Sequence, residues 1–116
     1  MSKEPSSFLP LSNLSFHVLL ALTSGPAHGY GIGKTIEIRS HGRLNPTTGS
    51  LYQTLKRLTD AGLIESAPDA AEESPDQRRV YFRLTALGRR VAAAEARRLE
   101  DLVALARQGR LLGEVS

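Results

Sequence analysis

One segment near the middle of the chain carries side chains that could read a DNA sequence. Gln53, Lys56 and Arg57 fall on one face of a helix predicted over residues 47–60, and the leucines of the same segment fall on the other. Glutamine and arginine can make paired hydrogen bonds to the edges of adenine and guanine in the major groove, and lysine can neutralise a phosphate. The same pattern also fits an ordinary solvated helix face, so base recognition is a hypothesis at this point.

The beginning of that helix adds groups suited to phosphate. Thr47, Thr48 and Ser50 carry hydroxyls close to the backbone N–H groups of a helix N-terminus, which attract anions. Gly49 has no side chain where the helix would approach a duplex most closely. Asp60, at the other end, does not suit DNA and is expected to point past the groove. We therefore predict that this helix enters a major groove.

A second pattern is similar to part of a nucleotide site. The run GIGKT over residues 31–35 has the composition that ends a phosphate-binding loop. That loop requires a glycine five residues before Gly33, where this chain has His28, and it also needs a second acidic strand for magnesium. Both missing features argue against nucleotide binding. It is kept only as an alternative that a nucleotide titration would test. In the preferred interpretation, Lys34 lies on the second helix and neutralises a phosphate.

The chain shows no arrangement of residues typical of an enzyme or a metal centre. His17, His28 and His41 are not at metal-ligand spacing with one another or with a carboxylate on the same face, and there is no cysteine. Many of the acidic residues are grouped in the loop 67–76, where burial would tune their pKa values poorly. We expect no enzyme activity, no cofactor and no metal, although a metal site between subunits or in a loop stays open.

These residues must be positioned by three helices, a hairpin and a fourth helix. The third helix has two candidate N-caps, Asn45 followed by a proline, and Thr47 one turn later. The run Val80–Leu84 is β-branched and aromatic and is the clearest strand. The fold class is therefore mainly α, within the α+β class. The first helix is predicted from about residue 12 to 22, the second from 28 or 29 to 40, and the third ends at Gly62. One strand begins at residue 63 and the other covers 80–84, with the loop 67–76 between them. The last helix runs from Thr85 to residue 108 or 109.

Length and charge favour a single domain with an anionic partner. The chain has 116 residues and a formal net charge of +3, which arises from two basic regions that flank an acidic one. Residues 1–64 carry +3, residues 65–76 carry −5 and residues 77–116 carry +5. Positive patches of this kind favour a polyanion. No apolar run is long enough to span a membrane, and the first residues lack signal-peptide character, so we expect a cytoplasmic protein associated with the nucleoid.

The last helix has more apolar surface than a domain of this size can cover. Its apolar residues spread over about half of the helical wheel, whereas a single surface helix needs about a third. A second copy of the chain is the simplest cover. Glu95 and Arg98 lie inside this apolar arc three residues apart, where they either flank the seam or line a pocket for an effector between subunits. The residues predicted to form the dimer are Val91, Ala94, Leu99, Leu102, Val103, Leu105 and Ala106.

Four motifs follow one another along most of the chain. They are GPAHGYGI from Gly25, TGSLYQTLKRL from Thr48, AGLI from Ala61 and RRVYFRLT from Arg78, the last followed by Leu87-Gly88. In this order, and over roughly residues 11–107, they resemble the PadR family of bacterial transcriptional regulators. The single terminal helix is similar to the short form of that family.

The resemblance implies a winged helix-turn-helix domain with a two-stranded wing and a long C-terminal dimerisation helix. It implies a homodimer that binds palindromic operator DNA, usually as a repressor, and that is released by a small-molecule inducer or a stress signal. Tyr30 and Tyr52 match the family's tyrosines on the second and the recognition helix, and Arg78 and Arg79 match its basic pair before the second wing strand. The loop 67–76 departs from the pattern because it carries four acids, so we expect this arginine pair, and not the loop tip, to contact the DNA backbone.

We therefore predict a DNA-binding regulator with a flexible arm over residues 1–10, a DNA-binding domain over 11–84, a dimerisation helix over 85–109 and a tail over 110–116. The alternative is a winged helix whose basic face docks another protein, and salt-dependent affinity for DNA would separate the two. The residues predicted to contact DNA are Tyr30, Lys34, Thr47, Thr48, Gly49, Ser50, Tyr52, Gln53, Lys56, Arg57, Arg78 and Arg79.

Overall fold

The computed structural model describes residues 4–70 and 80–113, which contain four α-helices and three short strands. The predicted helices and both strands of the predicted hairpin are confirmed. Short 3-10 helices lie over Pro5–Phe8 and Pro68–Ala70. The helices are α1 (Asn13–Ala21), α2 (Gly29–Arg39), α3 (Thr48–Asp60) and α4 (Ala86–Gln108), and the strands are β1 (Ala27–His28), β2 (Ile64–Ser66) and β3 (Tyr81–Leu84).

Each α-helix begins at a side-chain cap that the sequence supplies. The capping atom accepts a hydrogen bond from the backbone N–H three residues later, which satisfies one of the donors that a helix N-terminus leaves unpaired. Of the two candidate caps for α3, the structure uses Thr47, whose Oγ1 accepts from the Ser50 N–H at 3.1 Å. Asn45 therefore precedes the helix. The capping residues are Ser12, His28, Thr47 and Thr85.

The first three helices pack around one apolar core. Leu19 of α1, Ile32 of α2 and Leu55 of α3 are each almost fully buried in it. Burial of a side chain of this size contributes about 1.5–3 kcal/mol to folding. The core therefore fixes α2 against α3, which is the relative placement that the predicted helix-turn-helix requires.

The three strands form one antiparallel sheet in the order β1-β3-β2. β2 and β3 pair with Ile64 opposite Leu84 and make the predicted two-stranded wing. β1 adds a third strand, with Ala27 opposite Phe82, that the sequence analysis does not predict. A strand of two residues is too short to show an alternating pattern, and its partner lies in a distant part of the chain. The arrangement of α2, α3 and the wing is a winged helix-turn-helix.

The N-terminal segment, predicted as a flexible arm over residues 1–10, contacts the rest of the chain where the structure describes it. Residues Pro5–Phe8 form a 3-10 helix, and Phe8 and Leu9 pack against the core. The Leu11 N–H then donates to Glu95 Oε2 at 2.7 Å. Two apolar side chains and one partly buried hydrogen bond therefore connect this segment to the core and to the last helix.

The predicted dimer residues on α4 fall into two groups. Val91 is 0% exposed and belongs to the core of its own chain, so its assignment to a dimer interface is wrong: a side chain that is already covered cannot touch a second subunit. Leu102, Val103 and Leu105 are exposed, with Leu105 at 61%. The first half of α4 is therefore packed inside the chain, and the apolar residues of the second half are left bare. Ala94, Leu99 and Ala106 are partly exposed.

Glu95 lies on α4 at the end of the packed half and is only 1% exposed. Its carboxylate oxygen Oε1 accepts a hydrogen bond from Arg98 Nε, and Oε2 accepts one from the Leu11 N–H. The hydrogen bond from Arg98, together with the one from the Leu11 N–H, holds the pKa of Glu95 below its ordinary value, against the opposing effect of burial. The Glu95 carboxylate is therefore engaged within one chain, and Arg98 is the more accessible member of the pair.

Replacing Glu95 by glutamine should lower the free energy of unfolding at neutral pH by about 2 kcal/mol, because a buried charge-assisted hydrogen bond is lost. A carboxyl group whose pKa is lowered by folding stabilises the fold above its unfolded-state pKa, and this contribution disappears as the pH falls through the folded-state pKa. The unfolding free energies of wild type and Glu95→Gln should therefore differ at pH 7 and converge in acid. Urea unfolding at several pH values measures both, with Glu100→Gln, on the exposed side of α4, as the control. A difference that stays constant with pH would contradict this account of Glu95.

Candidate nucleic-acid interface

The predicted base-reading residues lie together on the outer face of α3. Gln53, Lys56, Arg57 and Asp60 are exposed and line one shallow depression on the surface. The opposite face of the helix is buried. The helix therefore presents amide, cationic and carboxylate groups side by side over two turns, which is the spacing expected for side chains that share one helix face.

The two cations on this face are held differently. Lys56 Nζ lies 3.0 Å from Asp60 Oδ2, and both side chains are mostly exposed. Arg57 Nη2 donates to Thr54 Oγ1 at 3.3 Å, and Thr54 is buried. Asp60 shares the face with Lys56 and pairs with it, and its orientation past the groove stays a prediction. The guanidinium of Arg57 is held by the buried hydroxyl of Thr54, whereas the ammonium of Lys56 must leave the Asp60 carboxylate before it can bind a phosphate.

The N-terminal end of α3 is open to solvent. Thr48, Gly49 and Ser50 are all exposed, and the first turn contains no acidic residue. A Cβ atom at Gly49 would meet no atom within 4 Å, so the surface is flat there. The partial positive charge of the helix N-terminus is therefore uncompensated in the first turn and accessible to an anion.

A cleft of about 220 Å³ separates α2 from the start of α3. Tyr30, Lys34, Thr48 and Tyr52, which were all predicted from the sequence to contact DNA, line it. Tyr30 and Tyr52 are 63% and 49% exposed, unusually large values for aromatic rings. Lys34 Nζ lies 5.8 Å from the centroid of the Tyr30 ring and 3.8 Å from a carboxylate oxygen of Glu37. The structure thus brings four predicted DNA contacts from two helices to one cleft.

His28 is a structural residue of this region that the sequence analysis did not single out. Its Nδ1 accepts from the Gly31 N–H at 3.0 Å and caps α2. Its ring meets Tyr81 of the wing edge-on, with centroids 5.2 Å apart, and stacks near Tyr30 at 6.3 Å. Because His28 also belongs to β1, it joins the start of α2 to the wing sheet. The available signal was a polar side chain three residues before a glycine at the start of a helix.

The described part of the wing carries a paired arginine. Arg83 Nε lies 2.8 Å from Glu65 Oε2 and its Nη1 lies 3.2 Å from Asp69 Oδ1. The hydrogen bond to Glu65 and the charge of Asp69 raise the pKa of Arg83 further above its ordinary value. Glu65 and Asp69 therefore occupy this cation, and the expectation that the acidic loop does not approach phosphates stays a prediction. Arg78 and Arg79 lie outside the described residues.

Among residues 4–70 and 80–113, no group of three or more histidine, aspartate or glutamate side chains could hold a metal ion. In the same residues, no helix is both long enough and apolar enough to cross a membrane.

The comparisons with known proteins agree with this architecture. The model of the transcriptional regulator PadR-like family matches residues 18–94, which include α2, α3 and the wing. The chain belongs to the PadR-like family. This family consists of transcriptional regulators and not of enzymes, so the chain is a transcriptional regulator. The match ends within α4, at the junction between its packed half and its bare half.

Solved structures share the winged-helix fold of this PadR-like chain. A transcriptional regulator from Clostridium thermocellum is 25% identical, with a TM-score of 0.69. The match covers 84% of this chain and 96% of that chain. A PadR family transcription regulator from Clostridium difficile is 23% identical, with a TM-score of 0.70 and coverages of 84% and 97%. Bacillus subtilis PadR, solved in complex with operator DNA, is 22% identical, with a TM-score of 0.62 and coverages of 73% and 47%.

A curated relative is more similar in sequence but much longer. An uncharacterized 37.1 kDa protein in a transposon of Streptomyces fradiae is 39% identical over 85 residues. The aligned region covers 73% of this chain but only 22% of that protein. The chain therefore spans about a fifth of the length of this relative.

Proposed function

We propose that this PadR-like regulator binds a palindromic operator as a homodimer, represses transcription and is released by a small-molecule or stress signal. The observation that carries the proposal is the outer face of α3, where amide and cationic side chains stand exposed above a buried apolar face. The structure of Bacillus subtilis PadR with operator DNA supports DNA as the partner of this fold.

In the proposed complex, α3 lies in the major groove. Gln53 and Arg57 contact base edges, for which an amide and a guanidinium are the usual partners of adenine and guanine. Arg57 is the more preorganised of the two because Thr54 already holds its guanidinium. Lys56 leaves Asp60 to contact a phosphate, which contributes affinity without sequence preference.

The cleft between α2 and α3 supplies the backbone contacts. Tyr30, Lys34, Thr48 and Tyr52 line it and would hold a phosphate and its sugar. At the rim, Ser50 would contribute a hydroxyl, and Thr47 would stabilise the N-terminus of α3 as its cap. Gly49 would allow close approach of the duplex. We also assign Arg78 and Arg79 to the DNA backbone at the base of the wing.

The bare half of α4 supports the homodimer. Leu99, Leu102, Val103 and Ala106 continue the apolar stripe that is packed against the core in the first half, and Leu105 flanks it. A second copy would cover this stripe, because a two-fold axis places the same residues on both sides. Two recognition helices would then meet half-sites about one turn of DNA apart, roughly 34 Å.

Arg98 is the residue that we propose for contact with an effector. It lies in a groove between the N-terminal 3-10 helix and α4, beside Leu9 and Ala94. Glu95 would act on such a ligand only by holding Arg98, because the Glu95 carboxylate is buried and already bonded on both oxygens.

Fluorescence anisotropy with the duplex upstream of the protein's own gene tests the proposal. Binding would be measured at two salt concentrations beside a scrambled duplex of equal length. A preference of about 10³-fold for the upstream duplex, with a steep salt dependence, is the expected result. Weak binding that ignores sequence, both here and in a selection of bound genomic fragments, would favour a basic face that docks a protein.

The roles of two neighbouring residues on α3 can be separated by substitution. Gln53→Ala should reduce the preference for the operator over the scrambled duplex by about 1–3 kcal/mol, since a base contact is lost. Lys56→Ala should weaken binding to both duplexes alike and reduce the slope of log K against log salt by about one, since one phosphate contact is lost. The anisotropy titration measures both. Equal losses on both duplexes for both variants would contradict the assigned roles.

A further inference from the structure

We propose that Gly29 is a positioning residue for DNA binding, and that it acts by leaving space at the start of α2 for the hydroxyl end of the Tyr52 ring. The inference rests on the proposed DNA-binding function and assigns Gly29 a role that acts through Tyr52. It concerns the α2–α3 cleft, which Gly29 also lines.

The geometry at Gly29 leaves no room for a side chain. A Cβ atom built on this residue would lie 2.7 Å from Cζ of Tyr52 and 3.2 Å from its Cε1, and closer still to the hydroxyl oxygen. Real Cβ atoms do not approach other atoms that closely, so any larger residue must push the ring away. Gly29 is itself buried at the first position of α2. The requirement for glycine there comes from close approach of a neighbouring side chain.

The ring that rests on Gly29 forms one wall of the cleft. Tyr52 is half exposed although it touches α2, and Tyr30 and Lys34 line the same cleft. In this arrangement a deoxyribose can pack on the aromatic faces while the Lys34 ammonium, which now lies near Glu37, pairs with the phosphate. Tyr52 is therefore placed for a backbone contact before DNA arrives, which avoids the cost of ordering it on binding.

A positioning role of Gly29 can be distinguished from a direct contact between Gly29 and DNA. Alanine at position 29 adds a Cβ atom that displaces the Tyr52 ring from its site. Its effect on DNA binding should therefore exist only while Tyr52 is present. A merely structural role would instead appear as a lower melting temperature of Gly29→Ala.

A double-mutant cycle on the full chain tests the proposal. Gly29→Ala should weaken binding to the operator and to the scrambled duplex by about tenfold each, because a backbone contact carries no sequence information. In the Tyr52→Ala background, the same substitution should change either affinity by less than about twofold. Gly31→Ala is the matched control on the same helix, where the added Cβ would meet only the edge of the His28 ring, at 3.3 Å.

Each outcome of the cycle is decisive. Equal losses in both backgrounds, or no loss in the wild-type background, would overturn the role of Gly29. A large fall in the melting temperature of Gly29→Ala would assign the residue to packing and would overturn it as well. Failure of the wild-type chain to bind any duplex would instead count against the proposed function, so the two failures are distinguishable.

Discussion

Alanine at position 88 should lower the free energy of unfolding by about 3 kcal/mol, and the melting temperature by roughly 10 °C. Gly88 lies in the first turn of α4, where that helix crosses the start of the wing. A Cβ atom there would lie 2.8 Å from the carbonyl carbon of Leu63 and closer still to its oxygen. The obstacle is backbone and not a flexible side chain, so relief requires the helix and the wing to separate.

The hydrogen bonds at this crossing explain why separation is costly. The Thr85 N–H donates to the Leu63 carbonyl at 3.1 Å, and Thr85 Oγ1 donates to the Gly62 carbonyl at 2.6 Å. The same Oγ1 accepts from the Gly88 N–H at 2.9 Å and caps the helix. Any shift that accommodates a methyl group at position 88 therefore strains three hydrogen bonds at once.

Chemical and thermal unfolding of Gly88→Ala measure the effect. Gly49→Ala is the matched control, since Gly49 also lies in the first turn of a helix but an added Cβ there meets no atom within 4 Å. The control should be unchanged or stabilised by up to about 1 kcal/mol, because alanine favours the helix more than glycine does. Similar unfolding free energies for both variants would show that the close approach of α4 to Leu63 does not limit stability.

Glutamate at position 102 should convert the proposed dimer into a monomer. Leu102 is 48% exposed on the bare half of α4, where the proposed interface covers it. Two copies of an unpaired carboxylate would enter one symmetric interface, and an uncompensated buried charge costs about 3–5 kcal/mol. We expect the dimer dissociation constant to rise by at least about 100-fold, and operator affinity to fall by a similar factor as one half-site is lost.

Analytical ultracentrifugation over a range of protein concentrations measures the dissociation constant, and anisotropy measures operator affinity. Ala104→Glu is the control: it adds the same charge on the same turn of α4 but on the opposite face, where the residue is exposed. It should keep the dimer. A Leu102→Glu variant that still sediments as wild type would place the interface elsewhere.

The sequence was sufficient for the local features of this fold. Caps, the leucine repeat of α3 and the aromatic run of β3 are all short-range signals, and each element that they predicted is present. The outer face of α3 followed from the same periodicity, since knowing which residues are apolar fixes which are exposed. The pairing of Lys56 with Asp60 also has a short-range origin, at four residues apart on one helix.

Features that depend on distant parts of the chain could not be predicted in this way. Val91 and Leu102 belong to one apolar stripe of α4 and look equivalent in the sequence. Val91 is buried and Leu102 is exposed because α1 and the N-terminal segment pack against only part of the helix. Glu95 interrupts that stripe because its carboxylate meets the Leu11 N–H, a partner 84 residues away. The contact of Gly29 with Tyr52 likewise exists only when α2 and α3 are packed.

The division of α4 into a packed half and a bare half has a consequence for how the regulator responds to its own abundance. Because the core is built from residues of one chain, we expect folding not to require assembly, and folded monomers should persist at low concentration. The share of chains in the proposed dimer then grows with the amount of protein made. Promoter occupancy should consequently rise more steeply than gene dosage, so that halving the number of gene copies would more than halve the number of operator-bound dimers.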